Sequence, residues 1–342
     1  VSLWRIMKAK KLILLFSLFV SFYGLAQTFS GIVLDIKTKE PIESASIYFD
    51  NTTIGTTTNS EGKFSISFTD AIQSSLVISY LGYETKTVLD YRQENNITIY
   101  LKPANNVLDE VVINVDDGLT RKQKLRLFRQ QFLGLSRFGK SSNILNEDAL
   151  ILKYNKKQKQ LTVSAIKPPI IENKGLQYLI SFDIQTFELN FSYVEEKNNI
   201  FNMKSLGYTG KTFYKNLDNF NKKKAEKNSQ KAYNGSVLQF MRALYNEDLE
   251  AKSYQVFYRG FKTNPWNHFK IQPITNSTKK RVLLDKPVTI LHNNKSQSKI
   301  TFLNPAILID EFGNYVDVTK VLFSGVMGNQ RVGDLLPLDF GL

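Results

Sequence analysis

The 342-residue chain has no cysteine, two histidines, two tryptophans and four methionines. Without cysteine there is no disulfide, no thiolate metal site, no cysteine nucleophile and no lipid-modified N-terminal cysteine. With only His268 and His292 as imidazole bases, little is left for a serine triad, which needs a nucleophile, a base and an orienting group. The nearest approach to a nucleophile elbow, Gly134-Leu135-Ser136-Arg137-Phe138-Gly139, is one residue too long, and Gly235-Ser236 falls inside an expected helix. A zinc peptidase would need His-x-x-Glu, but Ile271 and Lys295 stand three residues after the two histidines. There is no glycine-rich phosphate loop. No cofactor and no metal are therefore expected.

Long apolar runs are also scarce. From Leu12 to Ala26 is 15 residues interrupted by Ser, Tyr and Gly, short of the ~20 that span a bilayer. Preceded by Met7-Lys8-Ala9-Lys10-Lys11 and closed by Gly24 and Ala26, it reads as a secretory signal peptide over 1–26, cleaved after Ala26. The expectation is an exported chain with no integral anchor after removal, in the periplasm or held at the outer membrane by contacts alone.

Charge is unevenly spread. Residues 1–26 carry +4, residues 27–113 carry −5 and residues 114–342 carry +15, giving the overall +14. The basic excess belongs to the last two-thirds of the chain.

The segment after Ala26 alternates with the period of half-buried strands. Phe64-Ser65-Ile66-Ser67-Phe68 and Ile97-Thr98-Ile99-Tyr100-Leu101 are the clearest cases. Further short β-rich runs are separated by the turn chemistry of Lys39-Glu40-Pro41, Asn59-Ser60-Glu61-Gly62 and Gly82. About seven short strands predict an all-β sandwich over 27–103. Gly62 and Gly82 are expected to be fold-determining turn residues rather than a site.

Four motifs in order, Gly31-Ile32-Val33-Leu34-Asp35, Pro41 to Ile47, Gly55 to Phe64 and Ser79 to Glu84, resemble the carboxypeptidase regulatory-like domain. The resemblance implies a transthyretin-like (prealbumin-like) sandwich. It carries no peptidase activity, since the zinc-binding catalytic domain is a separate unit in the peptidases that bear this module. Next, Leu108-Asp109-Glu110-Val111-Val112-Ile113 looks like the segment following the same module in TonB-dependent outer-membrane transporters. The 229 residues beyond it lack the train of ~10-residue amphipathic strands a membrane barrel requires. The segment is then either a borrowed linker or an edge strand; a linker over 104–119 is favoured, because Asp116-Asp117-Gly118 closes it with turn chemistry.

Residues 120–342 read as an α+β domain with a mainly antiparallel sheet. Arg121 to Leu135 has helical spacing, and Leu150 to Tyr154 with Gln160 to Ala165 form a hairpin with a basic tip. Tyr178 to Asp183, Phe187 to Tyr193 and Ile200 to Tyr208 are strand-like, followed by one long packed helix from about Asn219 to Glu247. Motifs such as Pro169 to Tyr178, Tyr233-Asn234-Gly235-Ser236-Val237 and Asp334 to Phe340 resemble an uncharacterised family of exported envelope proteins of Gram-negative bacteria. That family brings no biochemical role.

Together these features predict a non-catalytic cell-envelope protein, a sandwich interaction or spacer module joined to a basic domain that binds an envelope component: a protein, lipopolysaccharide or a glycan. Lys222, Lys223, Lys224, Lys227 and Lys231 are the candidate polyanion-binding residues. Nucleic acid is not expected outside the cytoplasm. Two alternatives stand beside this reading. One is a carboxylate-dependent hydrolase of surface glycans using pairs such as Glu147-Asp148, Glu195-Glu196 or Asp310-Glu311. The other is a partner of a TonB-dependent transporter.

Overall fold

The computed structural model of the chain describes residues 27–69, 74–93, 96–104, 117–316 and 318–342. The expected signal peptide, the Leu108–Ile113 segment and most of the expected linker lie outside the described residues.

The alternating segments near the start build two facing sheets. β1 (Gln27–Asp35) lies between β4 (Lys63–Phe68) and β7 (Asn96–Leu101), antiparallel to the first and parallel to the second. The second sheet orders β3 (Gly55–Thr57), β2 (Ser46–Phe49), β5 (Leu76–Ser79) and β6 (Lys86–Val88). Strict alternation in β4 sends Phe64, Ile66 and Phe68 inward and Lys63, Ser65 and Ser67 to water. Inside, Tyr91 gathers Phe49 at 5.1 Å, Phe68 at 5.4 Å and Phe29 at 6.0 Å between ring centroids. Its hydroxyl donates to the carbonyl of Ser74, so the polar end of this core residue is satisfied.

An α+β domain with mainly antiparallel sheets follows, as expected. Helix α1 (Arg121–Phe132) begins at a capping box, in which Thr120 and Gln123 satisfy each other's backbone N–H groups. Its apolar stripe lies on a six-stranded sheet made of β8 (Ser142–Ile144), β9 (Leu150–Asn155), β10 (Gln160–Ala165), β11 (Ile170–Asn173), β12 (Tyr178–Glu195) and β13 (Ile200–Asn216). Phe132 stacks on Phe128 at 4.7 Å and meets Phe182 edge-on at 5.0 Å. The two strand-like runs expected before and after Gln185 form one continuous strand. No turn residue separates them, and β13 pairs along the whole length, with bulges between Ile184 and Thr186 and again near Phe191.

The expected single helix over 219–247 is instead two, α2 (Lys222–Tyr233) and α3 (Val237–Tyr245). The break has a backbone cause. Asn234 is extended, Gly235 adopts φ +76°, and the Ser236 hydroxyl accepts the Gln239 N–H to start a new helix. A side chain at Gly235 would also meet His292, whose Nδ1 lies 2.8 Å from an ideal Cβ. Divided in this way, the two helices serve different cores. Ala232 of α2 packs with Phe138, Leu176 and Leu336. Phe240, Met241 and Leu244 of α3 fill a second core. Two sheets contribute to that core. One is built from β14 (Tyr254–Tyr258), β15 (Phe261–Thr263), β18 (Val288–His292), β19 (Ser296–Phe302) and β22 (Val321–Ser324). The other holds β16 (Lys270–Pro273), β17 (Lys280–Leu283), β20 (Ala306–Ile309) and β21 (Tyr315–Val316).

The sandwich is docked on the second domain. The turn after β2 lies against β13: Asn51 donates its N–H to the carbonyl of Thr212, and Tyr214 donates to the carbonyl of Thr52. Asp50 accepts from the Thr212 N–H at 2.9 Å and pairs with Lys211 at 3.1 Å. Tyr48 stacks on Phe213 at 4.9 Å. The C-terminal segment straps the parts together. Gly333 accepts from Asn173, Leu338 donates to the carbonyl of Asn51, and Asp339 bonds the Thr53 hydroxyl. The Arg242 guanidinium of α3 donates to the carbonyls of Phe312, Leu338 and Phe340.

Candidate functional site

Lys222, Lys223, Lys224, Lys227 and Lys231 are all exposed on α2. At ~100° per residue, Lys223, Lys224, Lys227 and Lys231 fall within an arc of roughly 100°. That arc lies opposite the buried Ala225, Asn228, Ser229 and Ala232. Lys222 stands apart, 3.9 Å from Glu226. The first turn of α2 holds no acid, so three cations add to the positive end of the helix dipole, a placement that disfavours the isolated helix. Asn221 caps that end through its side chain. The other basic run, Lys156, Lys157 and Lys159 at the β9–β10 tip, does not join this face. Gln160 pairs with Asn190 while α2 follows the Tyr178–Asn216 end of the hairpin, so 12 residues of β12, roughly 40 Å, separate them. Lys156 there is paired with Glu196.

The carboxylate pairs weighed for hydrolysis are held elsewhere. Glu147 pairs with Arg129, Glu195 bonds Asn198 and Tyr193, and Glu196 pairs with Lys156. Asp310 is buried and accepts the N–H groups of Phe312 and Asn314, closing the turn after β20; burial pushes its carboxyl above the usual range. None of these acids lines an open cavity of about 450 Å³ bounded by Glu250, Ser253, Gln255, Lys262, Asn293 and Asn294. That cavity has one carboxylate, whereas glycoside hydrolysis needs two. Among the described residues, no cluster of three or more His, Asp or Glu is placed to hold a metal ion.

The hydroxyls are equally committed. Ser136 accepts the N–H groups of Phe138 and Gly139 and bonds the Asp334 carboxylate, fixing the C-terminal segment rather than facing a base. Ser236 caps α3. His292 is buried against Tyr254, 4.6 Å between ring centroids, and burial pushes its imidazole below the ordinary value. His268 packs against Tyr258 with the rings tilted, 4.9 Å between centroids.

Gly62 and Gly82 both have positive φ, +71° and +85°. Gly62 donates to the Asn59 carbonyl, and the Asn59 side chain accepts the N–H groups of Glu61 and Lys63. Gly82 accepts from Ala104, beside the Tyr83 hydroxyl that donates to Asp35 at 2.7 Å. The contact set between Asp50–Thr53 and Lys211–Tyr214 carries no signal in the sequence, because its members are about 160 residues apart and periodicity reports only local structure.

Residues 29–113 match the family model of the CarboxypepD_reg-like domain, so this part of the chain is such a domain. Domains of this kind are non-catalytic. The chain is also similar to the TonB-dependent receptor SusC of Bacteroides thetaiotaomicron, 35% identical over 104 residues, or 30% of this chain. It spans about a tenth of that protein's length (10%). Among the described residues, no helix is long and apolar enough to cross a membrane.

Proposed function

We propose that the chain is a non-catalytic cell-envelope protein that binds a polyanionic envelope component, such as the phosphate groups of lipopolysaccharide or an acidic glycan, on the lysine face of α2. The observation that carries this reading is the arc of four lysines on one exposed helical face, reinforced by an N-terminal turn with no acid. The placement of Glu147, Glu195, Glu196 and Asp310 in structural contacts favours binding over glycan hydrolysis. In this reading the sandwich is a docked platform, because its β2–β3 turn is bonded to β13 and to the C-terminal strap. The test is retention on immobilised heparin. The wild-type chain elutes at higher salt than a variant with all five α2 lysines changed to Gln; equal elution would contradict the assignment.

The similarity to SusC favours a second reading, association with a TonB-dependent transporter in the outer membrane. Chemical cross-linking in envelopes followed by mass spectrometry tests it. A transporter of that class enriched over a tag-only control supports the association, and no enrichment counts against it.

A further inference from the structure

Among the described residues the most exposed large apolar side chain is Phe261, 78% accessible, at the first position of β15. It stands beside a two-residue turn in which Arg259 (φ 50°) and Gly260 (φ 88°) both take left-handed backbone, the geometry of a tight type I′ hairpin. Tyr258 and Phe261 are cross-strand partners, so both rings project from the same face of the hairpin. Tyr258 packs against His268 with the rings tilted, and its ring centre lies 5.4 Å from the Arg259 guanidinium. The paired positions fix the stem, and among the described residues Phe261 is left uncovered at its end.

The surroundings of Phe261 are basic and amphipathic. From Tyr254 to Lys270 the chain carries Arg259, Lys262 and Lys270 and no acid. Lys262 turns to the opposite face of the hairpin from Phe261, where it heads a cross-strand row with Phe257, Thr289 and Lys299 and shares a cavity wall with Glu250. Trp266 is half-buried a few residues beyond the tip, and the Lys270 ammonium donates to its carbonyl. An exposed ring flanked by cations, with tyrosine and tryptophan behind it, matches the boundary of an anionic bilayer. The ring enters the acyl region, the amphipathic aromatics sit among the headgroups and the cations meet lipid phosphates. A protein groove would also accept a phenylalanine, but the excess of cation over acid around the tip, Arg259, Lys262 and Lys270 against Glu250, favours an anionic surface.

We infer that the β14–β15 hairpin is a membrane-interface contact that inserts Phe261 into an anionic glycerophospholipid surface. One ring and a few cations give reversible, peripheral attachment, comparable to a single acyl chain rather than to a spanning segment. The contact is distinct from the α2 lysine face.

A reporter at the tip tests this without interference from other parts of the chain. The full chain contains tryptophan only at Trp4 and Trp266. In a Trp4→Phe, Trp266→Phe, Phe261→Trp variant, emission therefore comes from position 261 alone. With phosphatidylglycerol/phosphatidylethanolamine vesicles, that emission shifts to the blue and is quenched by brominated acyl chains. The signal weakens about 5-fold in apparent affinity for each of Arg259→Gln and Lys262→Gln. Phe261→Ser, at an exposed position where folding is not at stake, lowers vesicle affinity roughly 10-fold or more. Emission that stays red and unquenched while the chain floats with the vesicles would overturn the inference. So would a shift produced only by an added envelope protein and never by lipid.

Discussion

Asp50 of the sandwich and Lys211 of β13 meet at 3.1 Å across the junction between the two parts of the chain, both largely withdrawn from water. Burial pushes the Asp50 carboxyl above its ordinary range, and the Lys211 ammonium and the Thr212 N–H pull it back. Burial is the larger influence on the carboxyl, so the intact pair adds little net stability, whereas removing one partner strands the other's charge.

The first prediction concerns that pair. Lys211→Met leaves the Asp50 charge without its counterion and lowers stability at neutral pH by ~1–3 kcal/mol, and Asp50→Asn in the same chain restores most of the loss. The sign of the pH dependence follows from the raised carboxyl. A folded-state proton is bound more tightly, so the Asp50 contribution to stability is fully present below its ordinary pKa and is lost as pH rises through the raised value. A double-mutant cycle by denaturant unfolding at pH 4 and pH 7 measures both effects. Additive single changes would mean that the pair is not coupled.

The second concerns the ring beneath it. An ideal Cβ on Gly55 would lie 2.5 Å from Cζ of Phe213, so the ring stacked on Tyr48 fits because residue 55 has no side chain. Gly55→Val suits a strand on propensity grounds, yet it overpacks the junction and costs ~1–3 kcal/mol. In calorimetry the sandwich and the second domain then unfold in separate steps. Adding Phe213→Ala relieves the clash and recovers part of the loss; an unchanged single transition in Gly55→Val would show that the docking is not tight.

The third concerns His292. Its imidazole, buried beside Tyr254, is pushed below the ordinary value, so the neutral form is favoured in the folded state. Its contribution is fully present above the unfolded pKa of ~6.5 and is lost as pH falls through the lower folded value. The melting temperature should decline more steeply on acidification in the wild type than in His292→Gln. Parallel curves would remove His292 from the account.

Local pattern carried much of this fold. The alternation of Phe64, Ile66 and Phe68 and the turn at Asn59–Gly62 describe their strands directly, because one face meets a core and the other meets water. Asn234-Gly235-Ser236 also held the signal for two helices, a positive-φ residue followed by a capping serine, although the apolar spacing on either side reads as one. From sequence β12 reads as two runs because Gln185 and Thr186 interrupt its alternation, and the bulge that absorbs them depends on β13. The junction and the C-terminal strap were illegible for a different reason. Leu338 meets Asn51, and Asp339 meets Thr53 across 286 residues, and no periodicity reports partners so far apart. At the α2 face the lysines were legible by position, but their separation from the β9–β10 tip required the length of β12.

The central claim is that the α2 lysines form a polyanion-binding surface, and the salt dependence of binding tests it most directly. Binding of a fluorescent polyphosphate to the full chain, titrated across a range of salt, should give log K falling linearly with log salt. Roughly 0.7–0.9 of slope is expected for each phosphate neutralised, so loss of the four-lysine arc flattens it by roughly 3. A wild-type chain with that slope and a Lys223, Lys224, Lys227 and Lys231→Gln variant without it is the predicted result. The same slope in both proteins would contradict the claim.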